Sequence, residues 1–157
     1  MYRLKERKGV ALVFAPERAL ESLWGEAAQL KLVKVDIAAA RGVDLLTNLE
    51  SLPIRSSSLD LIWCHHVLEH IEHRQAITEL SRVLSTRGGE LIVSVPMQLG
   101  TSTREYGFAD PRESVHWRIY GDDFAQRLEA SDLTVATQSH RLSPDACRQF
   151  GITPERF

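Results

Sequence analysis

Short apolar runs alternate with longer amphipathic or polar stretches along the 157 residues of the chain. Val10-Ala-Leu-Val-Phe14 is an unbroken apolar run of strand length, which predicts a strand buried on both faces. Pro16 follows at a place suited to the first turn of a helix, and Leu20, Leu23 and Trp24 continue that helix. Lys31-Leu-Val-Lys-Val-Asp36 alternates with period two and ends in an acid; Val43-Asp-Leu-Leu-Thr47 is a weaker strand and Leu59-Asp-Leu-Ile-Trp-Cys64 a fourth. Leu68, Ile71, Ile77, Leu80, Val83 and Leu84 recur at helical spacing and predict a helix running to about Leu84. Arg87-Gly88-Gly89 breaks it before Glu90-Leu-Ile-Val-Ser-Val95, the clearest strand of the chain. Residues 96–118, rich in Gly, Thr, Ser and Pro, read as a loop. Gly121 to Ala130 reads as a helix with Phe124 and Leu128 on one face. Leu133 to Gln138 reads as a last strand, and a short helix is expected around Pro144 to Phe150.

Strands alternating with helical segments predict an α/β fold, a parallel sheet covered on both faces. Right-handed crossovers put the functional loops of such a sheet at the carboxyl ends of its strands. Asp36, Asn48, His65, His66, Glu69 and the loop after Val95 all fall on that edge. They are distant in sequence, yet the topology brings them together.

Composition bounds the function. The length suits one domain, residues 1–157, and the apolar fraction of 43% with 25% charged residues is that of a globular protein. Net charge is −2, and the only basic cluster, Arg3, Lys5, Arg7 and Lys8, reads as a solvated lead-in to the first strand. Without a basic stripe no nucleic-acid partner is expected. Cys64 and Cys147 lie far apart with no C-x-x-C pair, which fits a reducing, cytoplasmic setting. No apolar run approaches the roughly 20 residues of a membrane span, and no apolar segment follows the N-terminal charges as a signal peptide requires.

The densest chemistry is Trp63-Cys-His-His-Val-Leu-Glu-His-Ile-Glu-His73. His66-Val-Leu-Glu-His70 matches the H-x-x-E-H signature of inverted zinc peptidases. That site needs both histidines on one face of a continuous helix, whereas this segment begins directly after a strand and no third ligand in family context follows. The match is read as coincidence, and no metal is expected. His70 and His73 lie further into the helix, where capping or surface exposure is the simpler reading.

Taken in order, Asn48-Leu-Glu-Ser-Leu-Pro-Ile54, Ser58-Leu-Asp-Leu-Ile62, His66-Val-Leu-Glu-His70, Glu79-Leu-Ser-Arg-Val-Leu84 and Gly88-Gly-Glu-Leu-Ile92 resemble the class I S-adenosylmethionine-dependent methyltransferases of the type 11 kind. Members typically carry a D-x-x-x-LPF segment, an S-F-D-x-I strand, an LEH turn and an E-x-x-RVLKPGG helix ending. The resemblance covers about residues 10–140. Phe14-Ala-Pro-Glu17 and His116-Trp-Arg-Ile-Tyr-Gly121 look like pieces of a narrower subgroup with an F-A-P-E first turn.

The resemblance implies a three-layer Rossmann-like fold with a mostly parallel sheet, truncated at both ends. Nine residues precede Val10 where a helix is usual, and the closing antiparallel strand pair is incomplete. It implies S-adenosylmethionine as cofactor, held by Phe14, Ala15, Glu17, Asp36, Asn48, Leu49, Cys64 and His65. Asp36 would accept the ribose hydroxyls, Asn48 and the next backbone N–H would read the adenine edge, and Glu17 would meet the ammonium. Asp60 caps or orients a loop in this reading. The family has a glycine-rich first turn and an acid where Asn48 stands, so the sequence departs at both places. His66 and His116 are the catalytic candidates, His116 as general base in the acceptor loop, with Tyr120 packing that loop. The expected acceptor is a small molecule or glycan-like metabolite, with a homodimer covering the open sheet edge. A binding or scaffold protein of the same fold is the rival reading. A dinucleotide-dependent oxidoreductase is weaker, because G-x-G-x-x-G is absent.

Overall fold

The computed structural model describes residues 4–137. Five strands form one parallel sheet: β1 (Gly9–Phe14), β2 (Leu30–Asp36), β3 (Leu45–Leu46), β4 (Leu61–His65) and β5 (Glu90–Ser94), in the spatial order β3-β2-β1-β4-β5. The expected α/β fold is present. β1 is central, in register with Leu30–Val35 on one side and Leu61–Trp63 on the other.

Side chains alternate across a strand, so a strand between two helical layers must be apolar at every position. Leu12, Phe14, Ile62 and Cys64 face one core with Ile77, Leu80 and Val83, whereas Ala11, Val13, Leu61 and Trp63 face a second with Leu4, Trp24 and Ala27. Trp24 and Trp63 meet edge to face at 5.1 Å in the second core.

The helices depart from their expected spans for local reasons. The helix after Pro16 is split into a 3-10 turn at Arg18–Leu20 and α1 (Glu21–Gly25), with no side-chain cap at either start. The helix expected to run through the histidine cluster begins only at α2 (His73–Val83). Glu72 caps it, its carboxylate accepting from the Arg74 and Gln75 backbone N–H groups, while extended Ile71 separates it from a 3-10 turn at Leu68–His70. Backbone hydrogen bonds to the Glu72 carboxylate, that of Gln75 foremost, hold its pKa below the usual range.

Residues 96–118 are not the loop expected. β6 (Arg104–Asp110) and β7 (His116–Ile119) form an antiparallel hairpin, closed by a 3-10 turn at Pro111–Glu113. α3 (Phe124–Glu129) follows as a shorter helix than expected, and residues 133–137 form no strand. The remainder of that expected strand, Gln138, and the helix expected at Pro144–Phe150 lie outside the described residues. Among the described residues, no helix is long and apolar enough to cross a membrane.

Candidate active site

The carboxyl ends of β1, β2 and β4 form one edge, and most of the expected site residues stand there. The first turn keeps its tight shape without glycine. Ala15 adopts a left-handed φ of 45° and donates its N–H to Val35 O at 2.9 Å. A methyl side chain is the smallest that tolerates this region after glycine, at a cost of about 1 kcal/mol. Next to it, Glu17 Oε1 lies 2.9 Å from His65 Nδ1, which links the turn after β1 to the end of β4. His65 is itself the last residue of β4, not the first after it.

Asp36 ends β2 half-buried, and its Oδ1 accepts from the Ala38 N–H at 3.0 Å; no other hydrogen bond is made by this carboxylate among the described residues. Asn48 is exposed, and its amide is engaged locally: Nδ2 donates to Glu50 Oε2 at 2.8 Å and Oδ1 accepts from the Glu50 N–H at 3.0 Å. Phe14, Leu49 and Cys64 are buried, and Cys64 has no exposed surface at all. Burial, with the nearby Glu69 carboxylate adding to it, pushes the Cys64 thiol far up in pKa, so it is an inert core group. Asp60 stands at the opposite end of the sheet, accepting from the Val10 N–H at 2.8 Å, in keeping with a capping role.

The segment that carries Asn48 is latched from below. Arg82 on α2 donates to Ile54 O at 2.8 Å, Leu52 O at 3.1 Å and Ser56 Oγ at 3.2 Å, and its Nε lies 2.6 Å from Glu79 Oε1. Glu79 in turn accepts from the Leu52 N–H at 2.8 Å. The Arg82 hydrogen bond, ahead of that backbone bond, holds Glu79 below the usual carboxylate range. The E-x-x-R spacing therefore positions the Leu-Pro-Ile segment, one turn away from the edge, and touches no reacting group.

After β4 the chain turns sharply. His66 has a left-handed φ of 52°, so it and His70 do not share a helical face. This breaks the inverted-peptidase geometry that H-x-x-E-H requires. His66 Nδ1 lies 3.1 Å from Oε1 of Glu69, a carboxylate that is only 1% exposed. Two adjacent left-handed corners, Ala15 and His66, thus flank the same edge, as strained backbone often does at functional sites.

The β6–β7 hairpin closes this corner through polar clamps. Arg118 is 3% exposed; its Nη1 donates to Leu68 O at 2.8 Å and Ile71 O at 2.7 Å, while its Nε donates to Glu105 Oε2 at 2.8 Å. Tyr120 is fully buried, its hydroxyl donating to Leu68 O at 3.2 Å and lying 2.9 Å from His73 Nδ1. His73, for which capping or surface exposure is the expectation, is buried by this contact. Its pKa falls to about 4, first through burial and then through the Arg118 charge. Burial raises the Tyr120 phenol, so both groups are neutral at pH 7. Gly121 completes the segment, because a Cβ there would sit 2.1 Å from Thr101 O. In His116-Trp-Arg-Ile-Tyr-Gly121, Arg118 and Tyr120 are taken up by these structural contacts; His116 is half-buried. It opens β7, not a loop, and its ring lies 4.7 Å from that of His70. The sequence singled out the histidines, but Arg118 carried no signal beyond its place in that motif.

A cleft of about 980 Å³ runs along β5, between Leu91 and Val93 on one side and Leu128, Leu133 and Val135 on the other. It does not contain the edge residues described above.

Comparison with known proteins places the chain as follows. Over 51 residues, 32% of this chain, the sequence is 33% identical to an uncharacterized protein of Methanocaldococcus jannaschii, MJ0638, of which that stretch covers 23%. The fold is similar to that of the YcgJ protein of Bacillus subtilis, with a TM-score of 0.61 and 18% identity over 81% of this chain and 62% of the other. It is also similar to the Burkholderia thailandensis 1,6-didemethyltoxoflavin-N1-methyltransferase, solved with bound 1,6-didemethyltoxoflavin and S-adenosylhomocysteine; the TM-score is 0.67 and the identity 16%, over 89% and 67% of the two chains. The chain therefore spans less than two thirds of YcgJ and under a quarter of the curated relative. A family model described as "Methyltransferase domain" matches residues 14–93, half of the sequence and all of the edge from Phe14 to β5, and the chain belongs to that methyltransferase family.

Proposed function

We propose that this protein is an S-adenosylmethionine-dependent methyltransferase acting on a small-molecule or glycan-like acceptor in a cytoplasmic setting. The observation that carries this reading is the convergence of Ala15, Glu17, Asp36, Asn48 and His65 on one sheet edge within a methyltransferase-family chain. The donor set fits the cofactor. Asp36 retains an oxygen for ribose hydroxyls, Glu17 is an exposed acid for an ammonium, and the left-handed Ala15 keeps the first turn clear of bulk. Asn48 would have to exchange its bonds to Glu50 to read the adenine, which leaves the Leu49 N–H as the simpler contact.

When bound, the cofactor supplies an electrophilic methyl group. The chain's own task is then positioning, with acceptor and methyl held in line and water excluded. His66 is the proposed base on the acceptor side: its ring is exposed and Glu69 stands ready to stabilise the imidazolium. His116 faces the same corner from β7. Among the described residues β5 pairs only with β4, and this open edge supports a second copy of the chain as partner.

Calorimetry with S-adenosylmethionine and S-adenosylhomocysteine tests the reading. Saturable heat with either ligand, weakened at least about tenfold by Asp36→Ala, is expected, since one charge-assisted hydrogen-bond pair is worth 1.5–3 kcal/mol. No heat and no thermal shift at millimolar ligand would remove it.

A further inference from the structure

We propose that Glu69, His70 and His116 form a binding site for a divalent transition-metal ion of the zinc type. Each offers one ligand atom, and the three atoms lie within 4.8 Å of one another. They come from places 46 residues apart, the 3-10 turn after β4 and the start of β7. The Arg118 and Tyr120 bonds to Leu68 O and Ile71 O fix these two elements against each other, so the juxtaposition rests on a rigid frame.

A second observation points to a cation ligand at Glu69. Glu69 is 1% exposed; its Oε1 is engaged by His66, but the buried Oε2 has no hydrogen-bond partner. A buried carboxylate oxygen without a partner is costly, and a metal ion removes that cost directly. The His116 imidazole also makes no hydrogen bond among the described residues, and the His70 imidazole makes only a long contact, Nδ1 to Val115 O at 3.4 Å. Two imidazoles and a carboxylate suit zinc, cobalt or ferrous iron, whereas magnesium and calcium prefer sites built of oxygen alone. Around a tetrahedral ion such ligands stand about 3.4 Å apart, so the side chains draw in by roughly an ångström. His70 is exposed and His116 half-buried, which leaves both imidazoles room to do so.

Three protein ligands leave a coordination position open to water or to an oxygen of the acceptor. His66 then becomes the outer partner of the Glu69 ligand and remains the proposed base. The site differs from the H-x-x-E-H pairing in using His116 in place of His66. It stands on its ligand set alone and does not rest on cofactor binding.

The test is metal titration of the chelator-stripped full chain with cobalt(II) chloride, read by visible absorption and by competition with zinc sulfate. The expected result is a saturable band of the intensity of a four- or five-coordinate ion, displaced by zinc, with a raised melting temperature. His70→Ala and His116→Ala should each weaken binding by more than about 100-fold while leaving circular dichroism unchanged, and Glu69→Gln should do the same. His66→Ala should retain the band with affinity reduced by about tenfold. No saturable band, or a band indifferent to His70→Ala and His116→Ala, overturns the proposal.

Discussion

The two halves of the candidate site are held by different physics. On the β1–β2–β4 side, the edge is the end of a sheet whose central strands β1 and β4 are apolar on both faces, so its position follows from hydrophobic burial spread over many residues. On the hairpin side, β6 and β7 contribute little apolar surface, and their docking depends on Arg118, Tyr120 and Glu105 reaching backbone carbonyls and one another. Burial tolerates the loss of any one contact better than a clamp does. A few directional bonds therefore govern the proposed acceptor side, while the proposed cofactor side is buffered by its core.

Arg118→Met should expose this asymmetry most strongly. It strips Leu68 O and Ile71 O of a charged donor and leaves Glu105 with only Arg127, at an expected cost of about 3 kcal/mol in urea unfolding. An equally large loss from a single Leu-to-Val change in β1 would mean that the two sides are not held differently. Gly121→Ala should rank next, at about 2 kcal/mol, because its Cβ has only backbone to collide with. A crystal structure of that variant with an unshifted 101–103 segment would contradict this.

The third expectation is a pH dependence set where His73 of α2 meets Tyr120. His73 has a folded pKa of about 4 against an ordinary value of 6.5, so the unfolded chain binds more protons between those values. Stability from its neutral, buried form is complete above pH 6.5 and declines as pH falls toward 4. The unfolding midpoint should drop over that window, and His73→Phe should flatten the drop. An identical slope in the variant would assign the effect to other groups. The smallest effect is expected at the first turn. Ala15→Gly relieves a left-handed alanine but loosens the unfolded chain, for a net gain of about 0.5 kcal/mol by thermal melting.

The same contrast explains what could be read in advance. Val10–Phe14 and Leu61–Cys64 were legible because a strand inside a parallel sheet has to be apolar throughout. The hairpin was not, since Arg104-Glu-Tyr-Gly-Phe-Ala-Asp110 has neither an apolar run nor clean alternation. Periodicity starts α2 too early because Leu68 and Ile71 fit its period, although Leu68 lies in a 3-10 turn and Ile71 is extended. Their burial comes from the corner itself. Nor does the sequence show the burial of His73, which depends on Tyr120, 47 residues away.

By itself, the sequence determined the parallel sheet, the order of its strands' chemistry and the edge on which Ala15, Asp36 and His65 meet. Hydrophobic periodicity and the preference for right-handed crossovers are local or nearly so, and a single sequence carries them. Only the tertiary structure decided which of the four clustered histidines share a site. His66 turned toward Glu69 and His73 into the core, while His70 found its neighbour in His116 across the hairpin. Those outcomes rest on one left-handed residue and on an arginine reaching two carbonyls some 50 residues away, contacts set by three-dimensional fit that leave no period in the sequence.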